Sequence, residues 1–289
     1  MTAPMPAAAT ATPTAIATAT ATETATATAT AAATPAPAGP AAPALVSVRG
    51  LCMAFGAKVV QRDLTFDIRR GEVFAIVGGS GCGKSTLLRH LIGLNPPAAG
   101  QVLHGSDNLY DSDLASQSRL RRRFGVMFQA GALWSSMTVG ENLMLPLQLF
   151  TTLDAEAIET QARFKLALVG LADSFDAEPA ALSGGMRKRA AIARAMALDP
   201  PLLFLDEPSA GLDPPTSARL DELILQLRQH LGTTVVLVTH ELDSLFAVAD
   251  RVLFLDAETK TMTALDAPLT LAEHGPDTVR AFLHRAQRP

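Results

Sequence analysis

Two cysteines, one tryptophan and one tyrosine are all that the 289 residues hold of those types. Cys52 and Cys82 have no spacing that makes a disulfide framework or a zinc site, which fits a reducing compartment. Long hydrophobic runs are missing as well: stretches such as VVLV at 235–238 are strand-sized, against the roughly 20 residues a bilayer-spanning helix needs. The N-terminus has neither a basic stretch nor a leucine-rich core, so no secretory leader is expected. Nor is there an excess of positive charge. The formal net charge of −4 argues against general nucleic-acid affinity, which needs a basic face. Work at a membrane would therefore need a partner to hold the chain there.

What is present begins with alanine, threonine and proline. Residues 1–43 carry one charge, Glu23, and too few large side chains to offset the entropy of ordering, so a disordered tail is expected, with a tether for a partner as the alternative. Patterned sequence starts at Leu45. LVSVRGL and LTFDI alternate like half-buried strands, and VFAIV (73–77) is a continuous apolar run suited to a buried parallel strand. A glycine-rich loop and a helix near 84–91 follow. From about 129 to 182 the pattern is mostly helical; AEAIETQARFKLALVGL sets Ile158, Phe164, Leu166 and Leu168 among charges. Residues 186–198 read as another helix. PLLFLD, TTVVLVTH and DRVLFLD are strand-like, and SARLDELILQLRQHL between the first two has helical periodicity. Strands alternating with helices predict an α/β fold with a largely parallel sheet.

GGSGCGKST at 78–86 matches G-x-x-x-x-G-K-S/T and sits where that motif works, after a buried strand and at the start of a helix. Its glycines let backbone N–H groups curl around phosphate oxygens, and the helix start adds partial positive charge. Gly78, Gly79, Ser80, Gly81, Cys82, Gly83, Lys84, Ser85 and Thr86 are the expected nucleotide-binding run, with Lys84 reaching the β/γ-phosphates and Ser85 ligating Mg²⁺. Cys82 fills a position the motif leaves free; a helix start can lower a thiol pKa, so it reads either as a reactive thiol or as a small filler. PLLFLDEP (201–208) ends a strand in two acids. Asp206 suits a Mg²⁺-holding carboxylate, and Glu207, pointing elsewhere, suits a base that polarises the attacking water.

LSGGMRKRAAIARA at 182–195, with Ser183 capping a Gly184–Gly185 turn, reads as a second anion-binding helix start or as a simple helix N-cap. One chain needs a single γ-phosphate cradle, so a second suggests that another copy's ATP is clamped there, which predicts a head-to-tail homodimer. The segment resembles the ABC signature, normally LSGGQ, with Met186 in the fifth place. This identifies the chain as resembling ABC transporter ATP-binding subunits. The resemblance spans about 45–256 and implies a P-loop NTPase (RecA-like) core with a small antiparallel β subdomain and an inserted α-helical subdomain. The ATPase domain would cover 44–260, its helical part about 129–195, and 261–289 would be a C-terminal extension. By the same resemblance Gln129 matches the Q-loop glutamine that contacts Mg²⁺, Asp213 in SAGLD the D-loop aspartate at the dimer seam, and His240 the H-loop histidine that contacts the γ-phosphate. Phe55 lies where the family places an adenine-stacking aromatic, or is a core residue. ATP and Mg²⁺ are the implied cofactors and ATP hydrolysis the implied reaction.

FQAGALWSSMTVGENLMLPL (128–147), the methionine in LSGGMRKRAA, LDPPTSARLDELI and EHGPDTVRAFL further resemble ATPases of MCE-type (Mla-like) lipid transport systems. That implies an integral membrane permease, a periplasmic MCE-type protein, a lipid substrate and a place on the cytoplasmic face of the inner membrane. An importer ATPase for a small polar solute, or a non-transport ABC ATPase, are the alternatives; the absence of an Asn/Thr-Lys-x-Asp motif argues against a GTPase. The apolar segment 130–150, with Trp134, Met137, Leu143 and Leu145, reads as a groove for a permease helix or as subdomain core. RLRRR (119–123) suits anionic headgroups or a solvated helix face. Val279, Phe282 and Leu283 share a helical face that packs on this domain or on a partner.

Overall fold

The computed structural model describes residues 43–111 and 113–284. The expected tail lies outside the described residues apart from Pro43. The chain opens with a hairpin of β1 (Ala44–Phe55) and β2 (Lys58–Arg69), turned at Gly56 in the left-handed region. Alternation along both strands buries Val46, Val48, Leu51, Leu64, Phe66 and Ile68. After β3 (Val73–Gly78) and α1 (Lys84–Leu91) come β4 (Ala99–His104) and β5 (Asp107–Asn108), which complete an antiparallel sheet in the order β2-β1-β4-β5. This is the expected small β subdomain.

The main sheet takes β6 (Phe124–Met127), β7 (Leu202–Asp206), β8 (Thr234–Val238), β9 (Arg251–Asp256) and β10 (Thr261–Asp266) around β3, in the order β10-β9-β3-β8-β7-β6. All pairs are parallel except β9 with the edge strand β10. Every residue of β3, β7 and β8 is buried, as their unbroken apolar runs require of interior parallel strands. One face of the sheet, with Phe74, Ile76, Phe204 and Val236, packs on α1 and the β subdomain. The other, with Val73, Leu203, Leu205 and Leu237, packs on helices. Each such side chain gains roughly 1.5–3 kcal/mol on leaving water.

Between β6 and β7 lies the inserted helical part: α3 (Val139–Phe150), α4 (Ala155–Leu168) and α5 (Gly184–Ala195), following α2 (Leu114–Arg121). Thr138 and Glu141 close a capping box on α3, Asp154 caps α4 and Ser183 caps α5. Val139, Leu143, Ala162, Leu166, Ala190 and Ile192 join the core of the main sheet, while Leu147, Ile158 and Ala197 form a small cluster of their own. On α4 Ile158 and Leu166 are buried and Phe164 is exposed, and Arg163 covers the Phe175 ring at 3.7 Å. On α2, Arg119 bonds Ser116, Arg121 donates to the Gly93 carbonyl, and Arg122 lies 4.8 Å over the Phe150 ring.

Downstream, α6 (Pro214–Leu231) runs between β7 and β8, and α7 (Leu242–Val248) between β8 and β9. The chain then continues from β10 into α8 (Pro268–His274) and α9 (Asp277–Leu283). Leu271, Ala272, Val279 and Leu283 cover Ala75, Val77, Val252 and Phe254, and the Phe282 ring stands edge-on to Phe254 at 5.3 Å. The last helix thus packs on its own domain, and residues 261–283 share the core of the sheet they follow. Among the described residues no helix is long and apolar enough to cross a membrane.

Candidate active site

The C-terminal ends of β3, β7 and β8 lie level, with Ile76 and Asp206 each paired to Val238, and a cavity of about 820 Å³ opens above them. Gly78–Gly81 and Gly83–Thr86 line its floor. The loop needs its glycines. Gly78 has φ 146, and a Cβ there would lie 2.3 Å from the Leu255 carbonyl oxygen; Gly83 has φ 102, and its Cβ would meet Val60 at 2.7 Å. Lys84 folds its ammonium back onto the carbonyls of Gly78 (2.9 Å) and Gly79 (3.2 Å). That cation is held by loop carbonyls and has no counter-anion among the described residues, which suits a polyphosphate. Buried Gln61 braces the loop from behind, donating to the carbonyls of Cys82 (2.7 Å) and Asp256 (2.8 Å).

Ser85 donates to Asp206 at 3.4 Å across the floor. Burial, then the neighbouring Glu207 charge, raise the Asp206 pKa, while Ser85, Arg89 and Lys84 oppose the rise. A buried carboxylate beside a hydroxyl at the end of a strand fits a hard divalent cation such as Mg²⁺. Glu207 is buried and takes the left-handed backbone conformation, φ 52, which is uncommon for a residue with a side chain and costs on the order of 1–3 kcal/mol. Its N–H donates to the Val238 carbonyl at 2.8 Å. Its Oε2 lies 2.7 Å from Nδ1 of His240 in a geometry that makes no hydrogen bond, so this oxygen is buried without a donor among the described residues. His240 follows β8 and is largely exposed at the cavity mouth; Gln129, exposed after β6, lines the same cavity.

Phe55, at the end of β1, is 56% exposed and lines the cavity, so it is a rim residue and not a core one. The structure therefore gathers Phe55, the loop, Gln129, Glu207 and His240 at one cavity, with Asp206 beneath it. It does not bring Ser183, Gly184, Gly185 or Asp213 there. Ser183 accepts from the Met186 N–H at 3.3 Å, and Met186 packs its side chain on the core. A Cβ on Gly184 would sit 3.7 Å from Leu212, and one on Gly185 only 2.3 Å from Thr216. Asp213 caps α6, accepting from the Thr216 N–H (3.0 Å) and hydroxyl (2.8 Å), bonds that hold its pKa below the ordinary value. The Ser183 turn and the α6 start thus form one surface apart from the cavity.

A family model described as "ABC transporter" matches residues 61–210, half of the chain. The chain belongs to the ABC transporter family. Among curated relatives, the cassette is 42% identical over 226 residues to a methionine import ATP-binding protein MetN of Xanthomonas oryzae pv. oryzae (78% of this chain, 64% of the relative). It is 39% identical over 206 residues to a probable ribonucleotide transport ATP-binding protein mkl of Mycobacterium leprae (71% and 59%). The chain therefore spans about six tenths of the length of these relatives. A solved dimeric cassette, MJ0796 in a post-hydrolysis state bound to ADP and Pi, superposes with TM-score 0.70 at 29% identity, covering 77% of this chain and 98% of that one. CbiO1 from Clostridium perfringens, part of the cbiONQ transporter complex, gives 0.71 at 25% identity, covering 82% and 98%.

The structure separates the two readings of Cys82. Cys82 is buried, its Sγ turned into the β-subdomain core beside Gly78, and it is absent from the cavity lining that its neighbours share. Burial raises its pKa and outweighs the opposing pull of Lys84 and the backbone N–H groups. The side chain is a filler, and only the backbone of Cys82 belongs to the cradle. Sequence reading also missed Lys58, Val59, Val60, Ala257, Lys260 and Phe282, which complete the cavity wall. They come from the β1–β2 hairpin, the β9–β10 turn and α9, and no local motif marks them.

Proposed function

We propose that this chain is the ATP-hydrolysing subunit of an ABC transporter, working as a pair of copies that drive a separate membrane permease. One observation carries this reading: the P-loop cavity and the Ser183 turn, each built to hold phosphate, do not meet within one chain. Two copies facing each other head to tail bring the Ser183, Gly184 and Gly185 turn of each, with its Asp213, against the cavity of the other.

Bound ATP with Mg²⁺ supplies the phosphoanhydride to be broken and the cation that offsets its charge. Lys84 would exchange its loop carbonyls for phosphate oxygens, Ser85 and Asp206 would hold the metal with Gln129 beside them, and Phe55 would stack on the base. Glu207 accepts the proton of the attacking water at Oε2, the oxygen that lacks a donor, and His240 stands next to it to contact the γ-phosphate. Closure of the pair excludes water from the cavity, and hydrolysis reopens it.

A second hollow of about 410 Å³ is lined by Trp134, Leu145, Pro146, Leu149 and Phe150, together with Arg121, Arg122 and Arg194. Trp134 and Leu149 are 59% and 64% exposed, whereas Leu143 is buried in the core. Buried Asn142 fixes this wall, accepting from the Trp134 N–H at 2.7 Å and donating to the carbonyls of Trp134 and Thr138. Its apolar lining and rigid wall support the reading of a groove for an amphipathic helix of the permease. Through that contact the chain sits at the cytoplasmic face of the inner membrane.

For the cargo, the segments around 128–147 and LSGGM support an MCE-type lipid system with a periplasmic MCE-type partner. The 42% identity to a methionine import protein favours the second reading, import of a small polar solute. Native mass spectrometry of the complex extracted from membranes in mild detergent separates them. A bound lipid and an MCE-type protein support the first; a soluble binding protein and no lipid support the second; recovery of the chain with no permease refutes both.

A further inference from the structure

Lys188 sits on α5, just over one turn beyond the capped Ser183 turn, and its side chain is half buried. Its ammonium donates to the backbone carbonyl of Glu207 at 2.8 Å. Among the described residues that carbonyl otherwise receives only a longer turn contact from the Ala210 N–H, 3.3 Å. The N–H of Glu207 is tied to the Val238 carbonyl. The left-handed backbone of Glu207 is therefore pinned on both sides: by β8 through its N–H, and by α5 through its carbonyl. Backbone strain of this kind persists only where the surroundings over-determine it, and withdrawing either tie lets the residue relax and re-aim its carboxylate.

Building on the proposed function, we infer that Lys188 is a positioning residue for hydrolysis, holding Glu207 in its strained pose from the same helix whose first turn receives the nucleotide of the second copy. α5 then serves both sites of the pair. Its N-terminal turn clamps a phosphate across the interface, and Lys188 sets the base in its own cavity. Lys188 touches neither the phosphates nor the attacking water; it acts through the Glu207 peptide.

The test uses the full chain and four variants: Lys188→Met, Lys188→Gln, Glu207→Gln, and Glu207→Gln combined with Lys188→Met. Lys188→Met keeps the length of the side chain without the donor and should lower kcat by at least about tenfold, with KM within about twofold of wild type. Lys188→Gln keeps an N–H donor and should recover most of the lost rate. The double variant should still form the ATP-dependent dimer of Glu207→Gln, because Lys188 does not hold nucleotide. Melting temperatures should agree within about 2 °C, as expected when packing is kept. A wild-type kcat in Lys188→Met, no recovery in Lys188→Gln, or loss of the dimer in the double variant overturns the inference. Failure of Glu207→Gln alone to dimerise with ATP would instead refute the proposed function.

Discussion

Gly185 offers a perturbation whose size follows from contact geometry. A Cβ at this position would lie 2.3 Å from the Thr216 methyl, more than 1 Å inside ordinary contact. Thr216 cannot yield cheaply. It is β-branched, so its χ1 is restricted. Its hydroxyl and N–H are both bonded to Asp213, so rotating the side chain breaks the cap of α6. Gly185→Ala must therefore push the Ser183 turn off the α6 start. Overpacking of this kind costs about 1–3 kcal/mol, which lowers Tm by about 2–4 °C per kcal/mol in a domain of this size. The displaced turn is the proposed clamp for the second copy's nucleotide. ATP-dependent dimerisation in a Glu207→Gln background should then fall at least about tenfold, each 1.4 kcal/mol being a factor of ten. Binding of a fluorescent ATP analogue to the monomer should be unchanged, since Gly185 is outside the cavity. Adding Thr216→Ser removes the offending methyl and keeps the cap, so the double variant should regain dimer and Tm. Undisturbed dimerisation in Gly185→Ala, or no rescue by Thr216→Ser, would refute the reasoning.

Phe55→Ala should weaken ATP binding by roughly 1–3 kcal/mol, the worth of one base–aromatic stack, with Tm almost unmoved because the ring is exposed; equilibrium titration and a thermal melt check both. Asp206→Asn should abolish Mg²⁺-dependent hydrolysis and raise Tm of the nucleotide-free protein. A carboxyl whose folded pKa is raised above 3.8 is disfavoured in its charged form, so it subtracts stability as pH rises through that window and at neutral pH, and the neutral amide escapes this. The gain should shrink at pH values below the ordinary carboxylate range, which a pH series of melts reads directly. Cys82, buried and with a raised pKa, should resist alkylation in the native protein and react on unfolding; rapid native labelling, with loss of activity, would contradict its placement in the core.

The sequence was most legible where function is local. The P-loop, the Asp206–Glu207 pair and the capped Ser183 turn lie in continuous motifs, and the strands that carry them are unbroken apolar runs. Elements at the sheet edges were not legible. AGQVLH and TMTALD are half exposed and lack a clean alternation, and the α2 segment LASQSRLR buries only Leu120, so no period marks it. Contacts between distant segments were hidden as well. Nothing in RKRA announces that Lys188 bonds the carbonyl of Glu207, and Phe282 reaches the cavity wall only because α9 packs on Phe254. The orientation of Cys82 stayed open for a related reason: the loop motif fixes backbone conformation and leaves its side chain to be claimed by whatever core lies behind it.

The central claim is that neither phosphate-binding surface completes a site alone. Its most direct test is the solution mass of Glu207→Gln by sedimentation, without nucleotide and with ATP, together with nucleotide counted per chain. The account predicts a monomer without nucleotide and, with ATP, a dimer holding two ATP, lost again when Gly185→Ala is added. A wild-type protein that turns over ATP while its mass stays that of one chain, and a Glu207→Gln variant that never dimerises, would contradict it.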